Sequence, residues 1–442
     1  MGFLNCCTFL TKTMNSTKFK YYLIAFQAIF ISCSSDSKDE TPIDEPKYEV
    51  FEGSLGKVEY FHRSKVADGY ILVNNANGDR AYLMDKDAEL IHDFPLNDKK
   101  IGNDVFLMDN GQLLANLESD EQKIGLGGQG GIIQILDADG TVQWNFEYSS
   151  DDHILHHDAE MLPNGNIIVQ VWERKTTQEA KDAGSELDLD LFPDAIIEID
   201  TSTEEIVWEW HAWDHLIQEY DDTKNNYGNI STSPQKINLN HVLDQEGDIM
   251  HANGIAYDAI NDVIFLSANF YSEIWVIDHS TTSAEAATSL GGNYGKGGDL
   301  IYRFGNPTAY NNTHGERLFF NNHFPNLLTG QDQGNILVFS NGQGKDQSTV
   351  YELKLPRDYS IETNQNNEPE IIWSFTDPDL FSPKVSGAVR LSNGNTLITE
   401  GDFGLWEVTP EGDIVWKFSN PGFYWRAYSY DKTSQAIISL NL

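Results

Sequence analysis

The sequence predicts an all-β protein, a six-bladed β-propeller, on three observations. One unit recurs six times: a turn, an apolar strand, a polar break, a second apolar strand ending near an Asp, then a Trp- or Phe-bearing strand. The turns carry Asn-Gly, Asp-Gly or Glu-Gly pairs, as hairpins that need positive φ do. Composition agrees, with 12% aromatic residues and 35 glycines among 442 residues, a profile of strands rather than helices. A four-stranded unit cannot bury both of its faces alone. Six stacked around an axis can, and the ring also hides most sheet edges. Two independent β-sandwiches fit less well, because the repeat runs through the whole chain.

Taken in order, residues 1–33 read as a secretory leader. Lys18 and Lys20 precede an apolar run, Tyr21 to Ser32, that ends at Cys33. A basic start, a short apolar stretch and a small residue before cysteine form a lipoprotein-type signal, with Met14 as the expected start. The run is shorter than the ~20 residues a spanning helix needs. Cys6 and Cys7 lie upstream of Met14, so the mature chain is expected to form no disulfide. Residues 34–47 are acidic, polar and proline-containing, and read as a flexible tether. The propeller then occupies 48–442, with copies starting at Ala67, Asp109, Pro163, Ala259, Asp332 and Ser392. Strands from Tyr424 onward are expected to pair with residues 48–62 and close the ring. Long segments (WHAWDHLIQEYDDTKNNYGNISTSPQ between copies three and four, and the acidic TTQEAKDAGSELDLDLF) are expected to build a lid or rim.

The formal charge of −39 argues against nucleic acid or anionic lipid as a partner of any broad face. An anionic ligand would need a local pocket of donors. Such a pocket is signalled by His157, His251 and His323, which open three successive copies at one relative place, with Ser386 in that slot of the last copy. Equivalent positions of a propeller converge on its axis, so three imidazoles should meet there. His156, next to His157 on an extended chain, should point the opposite way. His215 could reach over the channel mouth. Of the aromatics, those beside His251 and His323 (Phe270, Tyr271, Phe320 and Phe324) are candidates for a phenol site.

In order along roughly residues 145–430, the chain carries HHDAEMLPNGN from His156, WDHL at Trp213 and HANGIAYDAINDVIFLSA from His251. NNHFPNLL and GNILVFSNG, from Asn321 on, GNTLITEG from Gly394 and YWRA from Tyr424 follow. This series resembles the bacterial arylsulfate sulfotransferases, six-bladed propellers of the periplasm. The resemblance implies a cofactor-free, metal-free ping-pong enzyme whose partners are a small aryl sulfate and a phenol. It implies His323 as the nucleophile that takes the sulfuryl group, and His157 and His251 as residues that hold its oxygens or exchange protons. Asn253 would be a further donor. The chemistry is sound for neutral imidazole near pH 7, with converging N–H groups stabilising a planar sulfuryl transition state. One departure stands out: LSANFYSE puts Asn269 where the family has a sulfate-binding arginine. Asn269 and Arg426 are therefore assigned to substrate binding, with Arg303 as a further replacement for the lost cation.

Two other readings compete. The histidines with Asp158 could hold a divalent cation in a propeller hydrolase or lyase. Alternatively, the chain is a surface lipoprotein that binds a sulfated or aromatic ligand without catalysis. In each case the expected location is the periplasm or cell surface, anchored to a bacterial membrane through lipid on Cys33.

Overall fold

The computed structural model describes residues 48–75, 78–121 and 123–442. The leader through Cys33 and the tether 34–47 lie outside the described residues. Among the described residues, no helix is long and apolar enough to cross a membrane.

Residues from Tyr48 onward form six antiparallel blades. Blades 2 to 5 each run in simple chain order from inner to outer strand. Their inner strands are Ile101–Leu107, His153–Met161, Ala252–Asp258 and Asn322–Leu327. The tight turns fall where the sequence places them; Gly165 of the Asn-Gly pair, for instance, has φ +88°, which glycine adopts without steric cost.

Ring closure differs from the expectation. The strand Tyr424–Asp431 is the innermost strand of blade 1 and pairs with Gly69–Asn75, not with residues 48–62. Lys57–Phe61 instead adds to the outer strand Ile414–Ser419 of blade 6, and Glu49–Glu52 adds outside it. Each chain end therefore pairs in a different blade. The seam between blades 6 and 1 is clasped by a buried ion pair, Lys86 to Glu407. Glu407 also accepts from the Ala67 amide (2.7 Å) and Asn395 Nδ2 (2.7 Å), so its charge is saturated. The Lys86 ammonium lies 4.4 Å from the Trp416 ring centre, and Trp416 Nε1 donates to the Lys86 carbonyl.

Apolar layers fill the space between blades; Trp406, Phe375, Leu380, Ala388 and Ile398 form the one between blades 5 and 6. The long segments within and after blade 3 are no free lid. Leu187, Leu191, Leu216, Ile237 and Ile249 join the core of blades 3 and 4. This leaves the axis as the place where polar side chains gather.

Candidate active site

Five of the six inner strands carry a β-bulge at one level: between Ile101 and Val105, His156 and Ala159, Ala252 and Ile255, His323 and Asn326, and Tyr424 and Ala427. A bulge adds an unpaired residue and re-aims the side chains beside it. His157, within its bulge (φ +56°), and His251, just before the strand Ala252–Asp258 (φ +49°), are left-handed, a conformation costing roughly 1–2 kcal/mol per residue. Strain of this kind persists only where surrounding structure enforces it.

One or more residues from each blade line a common cavity of about 230 Å³. In blade order 1 to 6 these include Trp425, Asn103, His157, His251, His323 and Val385. The three histidines meet, but not at one register: His157 lies within its bulge, His323 is the last paired residue before its own, and His251 precedes its strand. Val385, not Ser386, takes the sixth place; Ser386 Oγ accepts from the Gly401 amide (3.1 Å). Phe270, Phe423 and Trp425 give the cavity aromatic walls, Asn269 lines it, and Lys384 stands at its exposed edge.

Each histidine is held differently. His323 Nδ1 lies 2.6 Å from Asn341 Oδ1. Asn341 Nδ2 donates to the carbonyls of Ser382 and Val385 (2.9 and 3.0 Å), so its oxygen must face the imidazole as acceptor. His323 therefore carries its proton on Nδ1 and keeps a bare Nε2. Burial, reinforced by His251 and Arg426, pushes its pKa down to about 3. His251 is the reverse case. Burial alone would lower it, but Asp248 Oδ2 sits 2.5 Å from Nδ1, and the net pKa is raised. Asp248 Oδ1 also accepts from the His251 amide (2.9 Å), which fixes the ring. His157 is held neutral by burial and by the nearby His251, His156 and His323. One cavity thus holds a free base and an acid.

His156 does not point away. The bulge brings its Nδ1 to 2.8 Å from His157 Nδ1, and its ring stacks on Trp172 at 3.9 Å. Asp194 Oδ1 lies 3.0 Å from its Nε2, but off line, and neither atom has a hydrogen-bond partner. His215 is buried beside Asp299 and the Ala286 carbonyl, away from the cavity. Arg303 is spent on Glu273 in the core of blade 4. Asn253 donates to the Asn322 carbonyl (2.9 Å) and does not line the cavity. Arg426 and Asp158 belong to a different cavity one residue further along, bound to each other at 2.8 Å. The expected metal set of three histidines with Asp158 is therefore not assembled, and no group of three His, Cys, Asp or Glu among the described residues is placed to hold a metal.

A family model described as Arylsulfotransferase (ASST) matches residues 57–420. The chain belongs to the arylsulfotransferase family. That membership supports sulfuryl transfer from aryl sulfates as its activity in general, on a six-bladed propeller. No curated protein matches the sequence. Among solved structures, this arylsulfotransferase is similar to a protein of unknown function from Bacteroides caccae (14% identity, TM-score 0.48, covering 82% of this chain and 99% of that one). It is also similar to the Cps50 (Swd1) β-propeller domain of Myceliophteria thermophila (10%, TM-score 0.43, 84% and 95%). Hydrazine synthase of Kuenenia stuttgartiensis follows at 14%, TM-score 0.38, with 65% and 68% covered.

Sequence reasoning missed Asp248, Asn341, Asn103, Trp425, Lys384 and the Gly127–Gly128 turn. Two had visible signals: Asp248 stands three residues before His251, and Asn341 opens the Asn-Gly pair after the blade 5 strand.

Proposed function

We propose that this arylsulfotransferase moves the sulfuryl group in two steps through His323. Nε2 attacks sulfur, an N–S bond forms, and the S–O bond to the aryl group breaks with the electron pair leaving on the phenolate. His251, protonated because Asp248 faces it, gives its Nε2 proton to that oxygen. A phenol acceptor then returns a proton to His251 while its oxygen attacks sulfur and the N–S bond breaks. His157 and Asn103 stand on the same cavity as donors to the sulfuryl oxygens, and Asn269 in the wall replaces the family's arginine with an uncharged amide. The imidazolium of His251 and the ammonium of Lys384 supply the positive charge lost with it.

The observation that carries this reading is the pairing of a neutral, Nδ1-protonated His323 with a carboxylate-held His251 on one aromatic-walled cavity. Initial rates with 4-nitrophenyl sulfate and phenol test it. Parallel double-reciprocal lines are expected, and intersecting lines would contradict a transfer in which phenol leaves before the acceptor binds. Cys33 is proposed as the lipid attachment point and 34–47 as the tether holding the 48–442 propeller at a bacterial membrane, in the periplasm or at the cell surface.

A further inference from the structure

The channel holds a second cavity of about 290 Å³, one to six residues further along the chain than the histidines. Its charges do not balance. Asp104, Asp158 and Glu160 line it against a single guanidinium, Arg426. Arg426 Nη1 lies 2.8 Å from Asp158 and 3.6 Å from Asp104, while Glu160 accepts only the Tyr257 amide (2.8 Å). Asp104 is 5% exposed; Tyr428 donates to its Oδ2 (2.7 Å), yet its Oδ1 has no hydrogen-bond partner. Arg426, 2% exposed, likewise leaves Nε unpartnered. Buried polar atoms are rarely left so in native proteins. Burial, helped by Asp158, raises Asp104 to about 7 and Glu160 to about 8.

Apart from Asn326 and Thr329, the rest of the wall is apolar or aromatic, with Phe106, Met161, Ile255, Phe324 and Leu327 among its residues. Phe106 and Tyr428 meet edge to face at 5.5 Å. We infer that this cavity is a second binding site, taking an organic ammonium ion with an apolar body. The unpaired carboxylates attract the charge and the aromatic and aliphatic wall takes the body, a combination used wherever ammonium ligands are recognised. A bare metal ion fits poorly, because no three-carboxylate or carboxylate–histidine ligand set is placed to hold one among the described residues. The histidine cavity, by contrast, carries Lys384 and His251 and no wall carboxylate.

The probe is benzyltrimethylammonium, titrated calorimetrically into the full chain, with benzyl alcohol as its neutral counterpart. The cation is expected to bind roughly tenfold or more tighter than the alcohol, and Asp104→Asn and Glu160→Gln should each remove most of that preference. His323→Ala should leave it intact. The cavity's titratable groups are Asp104, Asp158, Glu160, Tyr257, Arg426 and Tyr428, so the cation should expel protons from Asp104 and Glu160. Wild-type titrations at pH 7.5 in buffers of different ionisation enthalpy read that release even if a variant fails to fold. No binding, equal binding of the alcohol, no proton release, or loss of binding on His323→Ala alone would each overturn the inference.

Discussion

Asp248→Asn separates the acid from the nucleophile. The carboxylate is 6% exposed, His251 is 19% exposed, and they touch at 2.5 Å, so solvent screens the pair little. An opposite charge in contact moves a pKa by about 1–3 pH units, at ~1.4 kcal/mol each. Without Asp248, burial carries His251 below its ordinary 6.5, and it loses its proton at neutral pH. Positioned acids contribute ~10²–10⁴ in rate, but only where the leaving oxygen needs a proton. Single-turnover release of phenol from phenyl sulfate should therefore fall about a hundredfold or more. Release of nitrophenolate from 4-nitrophenyl sulfate, which departs unprotonated, should fall by less than about tenfold. The sign with pH follows: wild-type cleavage of phenyl sulfate is lost as pH rises through the raised pKa of His251, and the variant shifts that loss to lower pH. Equal losses for both sulfates, with native circular dichroism, would refute His251 as the proton donor.

Gly128→Ala would place a Cβ 2.1 Å from His157 Cε1 at φ +95°, so the ring must move; a lowered Tm and loss of aryl sulfate binding are expected, read by thermal melts and equilibrium dialysis. Lys384→Ala removes the exposed ammonium at the cavity edge and should raise KM for aryl sulfate about three- to tenfold at low salt, with kcat unchanged and the difference fading at high salt. Lys86→Met leaves Glu407 charged and buried at the ring seam, which should cost about 3–5 kcal/mol in urea unfolding, whereas a charge-neutral seam carrying Lys86→Met with Glu407→Gln should recover part of it.

The blades were legible because their signals are local: alternation over a strand and Asn-Gly or Asp-Gly at the turn decide each hairpin. Closure was not. Tyr424–Asp431 and Lys57–Phe61 both read as ordinary strands, and nothing within either says which distant edge it joins. At the site, the repeat pointed to His157, His251 and His323, which line one cavity, although each stands at a different register relative to its bulge. The same reasoning misplaced Asp158, Arg426, Asn253 and His156, each within a residue or two of a bulge. One inserted residue reverses the faces of a strand, and bulges leave no fixed mark in sequence. Asn341 and Asp248 lay in plain view beside the histidine segments. Only the fold shows that one fixes a tautomer and the other a charge.

The most direct test of the account is the intact mass of the protein after brief exposure to 4-nitrophenyl sulfate, followed by peptide mapping. A single sulfuryl increment on His323 is expected, matched one to one by nitrophenol release and absent in His323→Ala. Turnover without any increment, or an increment on His157 or His251 that survives in His323→Ala, would contradict it.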